Sequence, residues 1–192
     1  MDLRRMIFGR PPKREPVREL YARIVAQARR PEFYLGGGVS DTPEGRFELV
    51  ALHAFLVLRR LRRERARAAP FAQALFDLMF ADMDVNLREM GVGDLSVGRQ
   101  VKAMAEAFFG RVAAYDAGLS GGDDALADAL RRNVLRGAAP RAEFLADLVA
   151  YVRREASSLA AADPDGLLQG DWSFGAFATR AKPVPGATEG MP

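Results

Sequence analysis

The stretch that most constrains this chain begins at Pro43. Phe47, Leu49, Val50, Leu52, Phe55, Leu56, Val57, Leu58 and Leu61 leave almost no polar side at helical spacing. A helix that is apolar nearly all round has no face to give to solvent, so it belongs at the centre of a bundle. Thr42 followed by Pro43 is a strong start, a capping hydroxyl and then a residue whose missing N–H costs nothing in the first turn. The spacing predicts a helix from Pro43 to about Ala68. Its end carries Arg59, Arg60, Arg62, Arg63, Arg65 and Arg67, a sign that suits the negative pole of a helix dipole.

Other helices have to cover that one, and the rest of the chain supplies them. Pro16 opens a helix carried by Val17, Leu20, Tyr21, Ile24, Val25 and Ala28 and closed by Pro31. The loop that follows contains Gly36-Gly37-Gly38, which implies mobility or close approach to a neighbour. Pro70 starts a third helix reaching about Met90, with Gly91 as its left-handed stop. Asp94 or Ser96 caps a fourth, built on Val97, Val101, Met104, Phe108, Val112 and Tyr115 and broken at LSGGDD. A fifth is capped by Asp123 and ends near Gly137; a sixth begins at Pro140 and stops at Asp163-Pro164. Alternation of apolar and polar residues is nowhere sustained, and no repeat is evident. The expected fold is all-α: a single-domain bundle of about six helices over residues 16–178. Trp172, Phe174 and Phe177 should pin a glycine-broken segment back onto it, with a basic arm at 1–15 and a disordered tail at 179–192.

Composition removes much of the enzyme list. With no cysteine and one histidine, thiol catalysis, disulfides, Cys/His metal clusters and Ser-His triads within the chain are excluded. The net charge of +3 hides an uneven distribution: arginines crowd the start of the chain and Arg59–Arg67, acids crowd 77–94 and 123–128. Separate faces for different partners follow, rather than one nucleic-acid surface. The most apolar run, Leu49–Leu58, falls short of the roughly 20 residues a bilayer span needs, and the start of the chain lacks the apolar core of a secretory signal. The expected location is cytoplasmic.

Individual motifs carry little chemistry by themselves. Asp82-x-Asp84-x-Asn86 begins like a calcium loop, but Leu87 stands where that loop needs glycine and Gly93 where it needs an acid. Gly91-x-Gly93 lacks the lysine and hydroxyl residue of a phosphate loop. Arg88-Glu89, in a tight corner, reads as a pair that sets geometry, guanidinium to carbonyls and carboxylate to a capped N–H. His53, on an apolar helix, reads as a hydrogen-bonded core residue; pH sensing and haem ligation are the other readings, and no second ligand is evident. The Arg59–Arg67 run suits nucleic acid, anionic lipid or plain solvent.

Three segments together carry a resemblance: LYARIVAQARRPEFY, GVSDTPEGRFELVALHAFLVLRRL and AQALFDLMFADMDVNLREMGVGDLSVGRQVKAMAEAFFGRVAAYD. In these the chain resembles the ubiquinol–cytochrome c chaperone family, and its Arg- and Ala-rich composition suggests a bacterial member. The resemblance implies a non-enzymatic assembly factor for ubiquinol–cytochrome c reductase that binds newly made cytochrome b or another reductase subunit, together with a small helical co-chaperone or the ribosome. It implies no cofactor, no metal and no specific nucleic acid. The expected client-binding surface is Tyr34, Asp82, Met83, Asp84, Arg88, Glu89, Met90, Asp94 and Leu95. Methionines there suit an irregular client, although core packing is the preferred reading for most of them. Arg59, Arg62, Arg63 and Arg67 are the expected contacts with the ribosome or with lipid on the inner face of the membrane. The alternatives are a helical enzyme acting on isoprenoid diphosphates and an RNA- or ribosome-binding module built on the arginine run.

Overall fold

A computed structural model describes residues 14–35, 38–137 and 141–178. Seven α-helices are present among these residues, with no strand: α1 Arg14–Ala28, α2 Pro43–Leu61, α3 Ala69–Glu89, α4 Asp94–Gly121, α5 Asp123–Asn133, α6 Ala142–Ala161 and α7 Pro164–Leu168. Short 3-10 turns, Pro31–Phe33 and Arg62–Arg67, follow α1 and α2.

The central helix is α2, as its composition demands. Every residue from Phe47 to Val57 is buried, two polar side chains included. It packs on α1, α3 and α6, while α4 and α5 form a hairpin beside it. Thr42 caps α2 as expected, its hydroxyl accepting from the Gly45 N–H at 3.1 Å. The helix stops earlier than expected, at Leu61, and the arginine run continues as a 3-10 turn broken at Arg65, whose φ of 49° no helix tolerates. The arginines therefore do not line one helical end.

Other boundaries also moved. Helix α1 includes Arg14 and Glu15, so the start of the bundle reaches back into the expected basic arm. Asp94 and Asp123 are the first residues of their helices rather than caps, with Gly93 and Gly122 in the capping positions. Helix α4 runs through Leu119-Ser120-Gly121 and yields only at Gly122, φ 100°. The break thus falls inside LSGGDD as expected, and Gly118 just before it serves contact: a Cβ there would come within 2.9 Å of Leu126 Cα. Helix α5 ends at Asn133, before Gly137. Asp163 both ends α6 and caps the extra turn α7, accepting from the Gly166 N–H at 2.8 Å. Pro140, Gly36, Gly37, most of the expected arm and the tail from residue 179 onward lie outside the described residues. Gly38 is described, and there close approach is the answer: a Cβ would sit 2.3 Å from Phe33 O and 2.6 Å from the Phe144 ring.

The C-terminal segment docks as expected. Phe177 stacks on Phe33 at 4.5 Å and Phe174 meets His53 edge-on at 4.9 Å. Its backbone is held as well: Gln27 donates to Gly175 O at 2.9 Å, and the Gly175 N–H donates to Glu155 at 3.0 Å. Arg154 donates to Ala176 O at 2.7 Å.

Beneath this strap lies a buried polar relay. His53 Nδ1–H donates to Leu49 O at 2.7 Å, so the neutral ring presents Nε2 as an acceptor for the Tyr151 hydroxyl at 2.8 Å. The Tyr151 oxygen in turn accepts from Gln27 at 2.9 Å. His53 is thus the hydrogen-bonded core histidine the sequence suggests, and burial pulls its pKa down to about 4. Unfolded imidazole binds a proton near 6.5, the folded one only near 4. Stability should therefore decline as pH falls from 6.5 toward 4, by up to about 3 kcal/mol, and this contribution should level off below that window. In urea titrations across that range, His53→Gln should remove this part of the pH slope.

Candidate functional site

A Gly91 turn brings the end of α3 against the start of α4. Its φ of 83° is the left-handed stop the sequence implies. The Val92 N–H bonds to Leu87 O at 3.0 Å and the Gly91 N–H to Arg88 O at 2.9 Å, the paired closure of a Schellman end. Across this corner Arg88 bridges two carboxylates, donating to Asp84 at 2.6 Å and also to Asp94. Those partners differ from the backbone groups expected for Arg88: one guanidinium clamps the two helices by their acids. The Asp84 hydrogen bond, followed by its charge, raises the Arg88 pKa.

Above the corner lies an open groove of about 710 Å³ bounded by α1, the start of α2, the end of α3 and the middle of α4. Val25, Phe47, Val50, Leu87 and Met104 provide apolar lining, and Met83 and Met90 flank it from α3. Met90 is half exposed, whereas Met79, one turn inside Met83, is fully buried and belongs to the core. Asp82 lines the groove but is held in place, accepting from the Tyr21 hydroxyl at 2.7 Å.

The opposite wall is electrostatic and was not anticipated. Glu48, fully buried on α2, accepts from Arg111 Nε at 2.6 Å and Nη2 at 2.5 Å, a two-pronged pair from helices 63 residues apart in the chain. The hydrogen bond to Glu48 raises the Arg111 pKa. Arg136 approaches the same carboxylate at 3.6 Å from a residue with φ 51°. Glu48 was the lone acid in an otherwise apolar stretch. That anomaly was the one available signal; nothing in the sequence pointed to Arg111 as its partner.

The expected client residues divide into groups. Asp82, Met83 and Met90 come together in the groove. Asp84, Arg88 and Asp94 form the corner clamp, with Glu89 exposed beside it. Leu95 stands 99% exposed on the outside of α4. The Tyr34 hydroxyl is engaged by Ala28 O at 2.7 Å, outside the groove lining. Of the basic run, Arg59 and Arg62 share Asp116, at 2.7 and 2.5 Å, and Arg67 pairs with Asp165; Arg63 is exposed. Of the acid-rich 123–128 stretch, Asp123 is engaged by Arg153 and Asp128 by Arg131. Among the described residues no three His, Cys, Asp or Glu side chains converge as metal ligands, and no helix is long and apolar enough to cross a membrane.

The frame is all-helical, with an open groove that is greasy on one side and charged on the other. The family model described as ubiquinol-cytochrome C chaperone matches residues 36–174, and the chain belongs to that family. It is 27% identical over 149 residues to ubiquinol-cytochrome-c reductase complex assembly factor 1 of Xenopus laevis, covering 78% of this chain and 74% of the frog protein. The human protein of the same name is 26% identical over 149 residues, and this match covers half of the human chain. The crystal structure of the Cbp3 homolog from Brucella abortus superposes with a TM-score of 0.77 at 38% identity, covering 85% of this chain and 90% of that one.

Removing one partner of the buried pair tests the charged wall. Arg111→Ala should lower stability by about 3 kcal/mol because the buried Glu48 carboxylate loses its main counter-ion. Arg111→Lys should recover part of that loss, read from urea midpoints of the two variants.

Proposed function

We propose that this protein is a non-enzymatic chaperone that holds newly made cytochrome b, or another reductase subunit, in the groove between α1, α2, α3 and α4 until the subunit is built into the ubiquinol–cytochrome c reductase. Family membership supports the assembly role. The observation that carries the client site is the groove itself, apolar side chains beside fixed charges. An unassembled membrane subunit offers apolar helix surface and polar loops side by side. Unbranched Met83, Met90 and Met104 adapt to the first of these, and rigidly held Asp82 and Arg111 discriminate among the second. The Asp84–Arg88–Asp94 clamp fixes the corner that presents Met90. Work on such a client places the chain at the inner face of the membrane, in peripheral contact with its lipid. A small helical co-chaperone or the ribosome is the expected additional partner, with exposed Arg63 available to either.

Deleting the gene in the native host should reduce assembled reductase and cytochrome b several-fold, and a photo-crosslinker at position 83 or 90 should capture a reductase subunit. Met90→Glu, at a half-exposed position, should reduce assembly while helix content and melting remain near wild type. Normal reductase levels in the deletion strain would end this reading; crosslinks only to unrelated proteins would remove the groove from it.

A further inference from the structure

Helix α4 is unusually bare: across its 28 residues only Val97, Phe108, Tyr115 and Gly118 are buried. Two of the largest exposed apolar side chains of the molecule stand on it, Leu95 at 99% and Phe109 at 60% exposure. Fourteen positions separate them, which places them on one face about 21 Å apart. Between them on that face lie Arg99, Lys102 and Glu106, all exposed. Lys102 and Glu106 pair only loosely, at 3.9 Å.

Beside Phe109 opens a second groove, about 420 Å³, walled by Leu58, Leu61, Ala72, Phe76, Phe108 and Val112. Its rim is the unwound arginine turn: Arg59, Arg62 and Arg65 line it. Arg59 and Arg62 share the single carboxylate Asp116, so that trio keeps a net positive charge. Hydrocarbon below and guanidinium at the lip, next to a helix face ending in Leu and Phe, is the layout of an acidic lipid interface: acyl chain inside, phosphate at the edge.

We propose that the Leu95–Phe109 face of α4 and the adjoining arginine-rimmed groove form a docking surface for an anionic phospholipid bilayer. This deepens the peripheral-contact element of the proposed function and rests on it, independently of the client's identity. The arginine run thus acts through its rim on a hydrocarbon groove rather than as an isolated basic patch. Nucleic acid fits less well. Phe109 already has one ring face against Phe76, at 5.5 Å and 26°, and Gln73 is the one amide in the lining for a base edge.

Flotation of the full chain with vesicles rich in phosphatidylglycerol, compared with pure phosphatidylcholine vesicles, tests the proposal. Wild type should float with the anionic vesicles at low salt and release at high salt. Leu95→Ser with Phe109→Ser should weaken that binding about tenfold or more, with the fold retained and melting lowered only by loss of the Phe109–Phe76 ring contact. Arg62→Gln with Arg65→Gly, which removes two rim guanidiniums and suits the positive φ at 65, should weaken it as well. Anionic vesicles that fail to bind wild type would overturn both the membrane contact and this surface. Vesicle binding that survives the Leu95/Phe109 pair would overturn this surface alone and leave the peripheral contact standing. Single-stranded RNA that competes fully with the vesicles, its own binding lost in the same pair, would overturn the proposal in favour of a nucleic-acid site.

Discussion

Burying α2 on every side is the condition the rest of the molecule has to meet. Eleven consecutive residues, Phe47 to Val57, lie out of water, and two of them, Glu48 and His53, carry polar groups that cannot be left unpaired. Each is answered by a different part of the chain. Glu48 faces α4 and receives Arg111; His53 faces α6 and receives Tyr151. An apolar rod could slide or rotate among its neighbours with little penalty, whereas these two pairings give α2 a defined rotation and register. The groove inherits that definition, because Phe47, Glu48 and Val50 form one of its sides.

The two polar solutions differ in character. His53 stays neutral inside a chain of hydrogen bonds in which every donor meets an acceptor. Glu48 and Arg111 meet beside an open groove, where the guanidinium is half-buried rather than sealed. The first arrangement belongs to the core, and the second lets a structural ion pair also line the groove. At the corner another arginine, Arg88, joins α3 to α4 through Asp84 and Asp94.

Much of this was legible in the sequence because α2 has no polar face and prolines mark the starts around it. What escaped has physical reasons. The break at LSGGDD was visible, but not the contact role of Gly118 and Gly121, where a Cβ would come within 2.9 Å of Leu126 and 3.0 Å of Ala125 of α5. Packing against a neighbouring helix outweighed a propensity cost of about 1 kcal/mol per glycine. Asp94 and Asp123 looked like caps because acids favour that neighbourhood, but the preceding glycines took the extended or positive-φ position. At the site, the acids and methionines of α3 were visible as a local cluster. The wall opposite was not, since Glu48 and Arg111 meet only in three dimensions and periodicity carries no information about which distant cation will answer a buried acid. The arginine run misled for a related reason: its charge was plain, but its break at Arg65 and its place on the rim of a hydrocarbon groove depend on the tertiary fold.

Phe177 stacks on Phe33 and touches Phe144 and Tyr151, so an aromatic platform assembled from α1's end and α6 is roofed by residues made more than 140 positions after Phe33. During vectorial synthesis the helices can gather early, but that roof has to wait until Phe177 has left the ribosome. Until then the relay around His53 lacks part of its cover. The order of manufacture thus covers the His53 relay only after α6 and α7 have been made.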